Sequence, residues 1–223
     1  MIAMANRPSH YIDLRDRLVG GEFLPGQRLR SEVLSKDYGI SASSLRELLF
    51  RLSTVGLVSF QEQRGFRVPD LSEELQHDLT HFRIMLECEG ACFSIRHGGV
   101  AWESRLSAAH HKLSHIESRA AAGTDEILLS LWTAAELEFH QTLIDACRSD
   151  LLKQTHEVVY FQFRQQMINS DRKFVFVPEN ISQHKAILDA ALQKDEAQVR
   201  ANIRAHLARN LIWPVPDLDA TKT

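Results

Sequence analysis

Along the first seventy positions, apolar residues recur in short runs broken by glycine and proline. Tyr11, Leu14 and Leu18 fall at helical spacing and stop at Gly20-Gly21, which predicts a first helix. Pro25-Gly26 marks a turn. A second short helix is predicted over 32–38, with Val33 and Leu34 facing inward and Gly39 breaking it. Ser41 is a good N-cap for a third helix that runs to about Val55, with Leu45, Leu48, Leu49 and Leu52 as its apolar face and Gly56 ending it. Leu57 to Phe60 and Phe66 to Val68 read as two short strands around a hairpin at 61–65.

Beyond Pro69-Asp70 the pattern changes. Segments at 72–97, 101–121, 125–148, 150–170 and 179–211 all carry a 3.6-residue period, and the last is predicted to break near Lys194-Asp195. In the first of these, Leu75, Leu79, Phe82 and Leu86 mark the expected buried stripe. The chain is therefore expected to be mainly α. A winged helix-turn-helix, helices plus a small β-hairpin wing, spans 1–70, and an all-α helical bundle spans 71–223.

Composition narrows this only modestly. The net charge of −3 is split, with ten basic and eight acidic residues in 1–70, which permits a nucleic-acid partner for the first domain without demanding one. No apolar run is long enough to span a membrane and the first residues show no signal-peptide core. The three cysteines, Cys88, Cys92 and Cys147, are too few for a disulfide framework. A cytoplasmic protein is the expectation.

A helix, a break at Gly39 and a second helix opened by Ser41 describe a helix-turn-helix, whose second helix enters the major groove N-terminus first. Ser41, Ser43 and Ser44 offer hydroxyls there, and Arg46 and Arg51 supply charge on the same helix. Arg64 and Gly65 sit at the expected tip of the wing, where a small residue lets the backbone approach phosphate. Arg28 adds charge just before the motif. Spacing alone leaves a rival open, because three-helix units with a terminal hairpin also dock proteins.

The stretch Gly21-Glu22-Phe23-Leu24-Pro25-Gly26-Gln27-Arg28-Leu29, with Gly39-Ile40-Ser41, Arg46-Glu47-Leu48-Leu49, Gly56-Leu57-Val58 and Arg64-Gly65-Phe66-Arg67-Val68, resembles the GntR family of regulators over about 60 residues. The resemblance implies a double-stranded DNA operator as partner. Two positions depart from the family pattern. Ala42 stands where an arginine usually follows the N-cap serine, and Ser44 stands where a proline is usual.

The bundle carries polar residues on its apolar stripes. Glu136 and His140 lie one turn apart beside Trp132, Ala135, Phe139, Leu143 and Cys147. His184 falls among Ile181, Leu188 and Ala191, and His206 among Val199, Ile203, Leu207 and Leu211. A buried carboxylate costs several kcal/mol unless it is paired or bound to metal, and imidazole is the commonest metal ligand. The four suit Zn²⁺, Ni²⁺, Mn²⁺ or Fe²⁺. Three core histidines satisfied separately would have the same spacing. His77 and His81, and His110, His111 and His115, also cluster, and both groups are read as solvated surface.

Glu136 with Phe139-His140, His184 with Ile187 and Ala190-Ala191-Leu192, and His206-Leu207 resemble the FCD effector domain of the FadR-type branch of the same family, and Arg83 to Glu87 fits it too. What the resemblance implies is a homodimeric, non-enzymatic regulator. A divalent transition metal held by Glu136, His140, His184 and His206 would lie beside a small carboxylate effector, with Arg83 first and Arg164 second as its counter-charge. The family acid is usually Asp, one methylene shorter than Glu136. Apart from effector binding, Arg83 and Glu87 four residues apart read as an ion pair on an exposed face. The rivals are a metal-dependent enzyme, against which the lack of a nucleophile motif counts, and a docking module with a structural metal.

Overall fold

The structure is a computed structural model, described here over residues 9–123, 125–167 and 178–214. Among the described residues it has nine helices and one three-stranded antiparallel sheet. They fall into two compact units, one taking residues up to Ser72 together with the segment that begins at Phe161, the other taking 73–160 and the C-terminal helices. The first unit is therefore not continuous in sequence, since it takes a stretch from about ninety residues beyond Ser72.

In the first unit, α1 (His10–Val19), α2 (Ser31–Tyr38) and α3 (Ala42–Thr54) precede the hairpin of β2 (Ser59–Gln61) and β3 (Gly65–Arg67). Ser41 caps α3 as expected, its hydroxyl accepting from the Ser44 N–H at 3.0 Å. Gly39 ends α2 in the left-handed region, φ 62°, which glycine enters without the Cβ clash other residues suffer. Leu14, Leu18, Leu45, Leu49 and Leu52 are fully buried and form the core of the unit. Val33, expected inside, is 54% exposed, and the buried residues of α2 are Leu34 and Ser35. A third strand, β1 (Arg28–Leu29), pairs antiparallel with β3, Leu29 opposite Phe66. Two residues are too few to show a period of two, which is why only the hairpin could be read from the sequence.

The same unit includes the last turns of α7 (Asp150–Gln166). Three glutamine amides there donate to backbone carbonyls that no strand or helix satisfies: Gln162 to Val55 at 2.8 Å, Gln165 to Leu57 at 3.1 Å and Gln166 to Asp70 at 3.2 Å. A buried carbonyl such as that of Leu57 needs such a partner, and the guanidinium of Arg15 lies over Phe161, 4.1 Å from its ring centre.

The second unit comprises α4 (Glu73–His97), α5 (Gly99–Ala120), α6 (Glu126–Ile144), the first turns of α7, α8 (Glu179–Leu192) and α9 (Glu196–Ala208). The bundle segments match the sequence periods, with the end of the 150–170 segment lying outside the described residues. Lys194, at φ 59°, makes the expected break, and Asp195 caps α9 through the Gln198 N–H. Trp102, Leu106, Phe139, Leu143, Ile187, Val199 and Ile203 belong to one continuous core.

The face of α4 is the main correction. Leu75 and Phe82 are 39% and 43% exposed, while Thr80, Arg83, Ile84, Glu87, Cys88 and Ala91 are buried. His77, read as surface, is buried and stacks on Trp213 at 4.2 Å, and His110 is buried against Phe139. Hydrophobic periodicity points the wrong way when the inward face of a helix carries charges that are satisfied only by partners on other helices. The described cysteines are free and buried.

Candidate functional sites

On the first unit, the N-terminus of α3 and the hairpin carry the residues expected to read DNA. Ser43, Ser44, Arg46 and Arg51 are exposed on α3. The Ser41 hydroxyl is engaged in the cap and lies 2.9 Å from that of Ser44. The Arg46 guanidinium lies over Phe66 and that of Arg51 over Tyr11, at 5.7 and 4.6 Å from the ring centres, so each charged head is placed by an aromatic face. Arg64 sits at the exposed tip, turned by Gly65 at φ 72°. A side chain at 65 would be strained there, and a Cβ would lie 4.0 Å from the Arg28 guanidinium. Arg28, Arg64 and Gly65 therefore meet at the wing.

On the second unit, α4, α5, α6, α7, α8 and α9 each turn polar groups into the bundle. The imidazoles of His140, His184 and His206 are buried, and one nitrogen from each falls within 4.8 Å of the others. Each ring is oriented through its other nitrogen. His140 Nδ1 lies 2.7 Å from Glu87 Oε2, His184 Nδ1 2.9 Å from Glu117 Oε1, and His206 Nδ1 3.0 Å from Gln183 Oε1. An acceptor at Nδ1 puts the ring proton there and leaves Nε2 with a lone pair. His140 Nε2 and His184 Nε2 are buried and have no hydrogen-bond partner. Burial holds His206 well below the ordinary imidazole range, reinforced by His184 and His140, and burial likewise lowers His140 against the opposing pull of Glu87. Three buried imidazoles that each meet an acceptor at Nδ1, two of them with an orphaned Nε2, are a donor set a divalent transition metal takes, so the three residues fit one.

Glu136 stands beside this group, its Oε1 3.4 Å from His140 Nε2. It accepts from Arg83 Nη2 at 3.1 Å and from the Tyr160 hydroxyl. Arg83 also donates to Glu87 at 2.6 Å and lies over the Tyr160 ring. Arg83 and Glu87 are 1% and 0% exposed, so the ion pair of the rival reading forms, but inside the bundle and not on an exposed face. Glu87 also meets His156 Nε2 at 3.1 Å. Burial raises the Glu87 carboxyl, but Arg83, His140 and His156 together hold it well below the usual range. Arg164 is buried as well, on the stretch of α7 after Phe161 that clusters with the first unit.

Sequence reasoning missed Glu117, His156, Tyr160 and Gln183. Glu117 lies next to Ile116 and is fully buried, where it meets His184 Nδ1 and accepts from the Trp132 indole N–H at 3.4 Å. Glu87 carried a signal, its spacing from Arg83, but not its orienting contact with His140.

Two family models match the chain. The model of the bacterial regulatory proteins of the gntR family matches residues 11–68, and that of the FCD domain matches residues 78–209. The chain is 32% identical over 201 residues to the uncharacterised HTH-type transcriptional regulator BphR of Paraburkholderia xenovorans, covering 89% of this chain and 80% of that one. It is 28% identical over 207 residues to the HTH-type transcriptional repressor GlaR of Escherichia coli, covering 91% of each. Among solved structures, McbR/YncC of E. coli has the same fold, with a TM-score of 0.75 at 19% identity over 90% of this chain and 92% of that one. So does a regulator from Rhodococcus sp. RHA1, with a TM-score of 0.70 at 21% identity over 89% and 92%. With a winged helix in front, a helical bundle behind and both family models matched in that order, the chain belongs to the GntR family of bacterial regulatory proteins, with an FCD domain at its C-terminal side.

Proposed function

We propose that this chain is a DNA-binding transcription regulator whose operator affinity is set by a small organic acid bound beside a divalent metal in the helical unit. The observation that carries the metal is the trio of His140, His184 and His206. Each is oriented by a partner at Nδ1, and two of the three have buried Nε2 atoms that nothing satisfies. Leaving such groups bare costs about 1–3 kcal/mol each. Glu136 is the fourth candidate ligand, and its carboxylate keeps acceptor capacity beside its contacts with Arg83 and Tyr160. A bound ion would supply an electrophilic centre for an anion's oxygen. The chain supplies the dry, oriented imidazoles.

The N-terminal residues of α3, with Arg46 and Arg51, would enter the major groove, and Arg28, Arg64 and Gly65 would approach the flanking backbone. A homodimer on a two-fold operator suits this unit. Leu75, Phe82, Met85 and Phe93 are each more than a third exposed on α4. At 100° per residue they occupy about a quarter of its circumference, a face of the kind a second copy covers. The relatives are regulators, one of them a repressor, which supports regulation over catalysis.

Elemental analysis of the purified protein beside its His140→Ala/His184→Ala variant tests the metal. About one transition metal per chain, lost in the variant while circular dichroism keeps the helical signal, is expected. No metal in either protein would sink the metal reading. A gel-shift titration in which no small acid alters operator affinity would sink the effector reading.

A further inference from the structure

The wing is a short hairpin. β2 and β3 pair over three positions, Ser59 with Arg67, Phe60 with Phe66 and Gln61 with Gly65, and a two-stranded hairpin on its own is marginal in water. β1 supports its far edge. Its two stems, the residues just before β2 and just after β3, are held from elsewhere.

Gln165 is 4% exposed and donates to the carbonyl of Leu57, two residues before β2. Gln162 donates to the carbonyl of Val55, the C-cap of α3. Gln166 grips the other stem with both ends of its amide, Nε2 donating to the Asp70 carbonyl at 3.2 Å and Oε1 accepting from the Ser72 N–H at 2.9 Å. Gly56 records how closely α7 approaches, because it sits at φ 73° and a Cβ there would lie 2.6 Å from Gln162 Nε2. All of these residues belong to the first unit. The family model of the winged helix nevertheless ends at residue 68, and the glutamines lie in the stretch matched by the FCD model.

Resting on the DNA-binding reading above, we propose that Gln162, Gln165 and Gln166 are positioning residues of the wing. They fix both stems and so fix where Arg64, at the tip, stands relative to Arg46 on α3. The glutamines carry no charge. A change in them that alters the salt dependence of DNA binding therefore acts through the arginines they place.

Gln162→Met/Gln165→Met, which keeps length and bulk and removes both donors, is compared in the full chain with Arg64→Ala and with the triple variant. The probe is the DNA duplex that the wild type enriches from a random-sequence pool. Affinity is read by fluorescence anisotropy between about 50 and 200 mM salt, with circular dichroism on each sample. The glutamine variant should bind roughly fivefold to tenfold more weakly, and its slope of log affinity against log salt should fall by roughly one, the loss of one phosphate contact. In the triple variant the slope should fall no further than in Arg64→Ala, because both changes remove the same contact. Gln162 is only half-buried, so the single Gln162→Met carries the same test if the double variant loses its helical signal. A folded glutamine variant with the wild-type slope, or losses that add in the triple variant, would overturn the inference and leave DNA binding standing. Arg64→Ala with the wild-type slope, or a wild type that enriches no duplex, would overturn the reading of the wing or of DNA binding and this inference with it.

Discussion

Glu87→Gln in metal-free protein probes how the buried network supports itself. The carboxylate accepts from Arg83 Nε at 2.6 Å and His156 Nε2 at 3.1 Å on one oxygen, and meets His140 Nδ1 at 2.7 Å on the other. A glutamine has one acceptor oxygen, so its NH₂ must face one of these donors. The charge opposite Arg83 also disappears, leaving Glu136 alone to offset a guanidinium that is 1% exposed. Removing one partner of a buried pair costs about 3–5 kcal/mol, a large part of the 5–15 kcal/mol that holds a domain folded. Trp102, Trp132 and Trp213 all lie in the second unit. Their fluorescence during urea unfolding with a chelator present therefore follows that unit, and the midpoint should fall with little change in slope. Arg83→Met removes the charge and keeps the length. If the two sites act as a pair, the double variant should lose at least about 0.5 kcal/mol less than the sum of the singles. A loss below about 1 kcal/mol for Glu87→Gln, or strict additivity, would refute the view that Arg83 depends on Glu87.

Other consequences can be checked separately. Glu117→Gln removes the anion behind His184, and metal affinity measured by competition with a chelator should drop about 10–100-fold, as for other groups that orient a ligand; an unchanged affinity would separate Glu117 from the site. Gly90→Ala places a Cβ 2.7 Å from Ile144 Cγ2 and 3.1 Å from Leu152 Cδ2, so thermal and urea denaturation should show a loss of about 1–3 kcal/mol from overpacking. Arg64→Ala should weaken operator binding at every sequence and lower the slope of log affinity against log salt by roughly one, and an unchanged slope would place the wing tip away from phosphate. Burial and the bond from its hydroxyl to Asp13 push Tyr38 up to about 12. A group whose folded value lies above its unfolded one stabilises fully below the unfolded value. The first unit should therefore lose stability between pH 10 and about 12, and Tyr38→Phe should remove that part of the alkaline transition.

Much of the molecule could be read without coordinates. The recurrence of apolar residues and the breaks at Gly39, Gly56 and Lys194 place the helices, because period and punctuation are local properties of the chain. Ser41 announces α3 because a cap acts within one turn. His140, His184 and His206 stand out because each interrupts an apolar stripe, and the structure gathers their rings into one group. Other features depend on residues far apart in sequence. Val33 is exposed and His77 buried because neighbouring elements decide which face of a helix is covered. Strand β1 exists because β3, with partners 37 and 39 residues later, supplies its hydrogen bonds. Glu87 and Glu117 orient imidazoles that lie 53 and 67 positions away, and Arg83 is buried because two carboxylates on different helices meet it there. A charge can be placed inside a protein only when its partners converge on it. That convergence belongs to the packing of α4, α5, α6 and α8, and no spacing along a single helix records it.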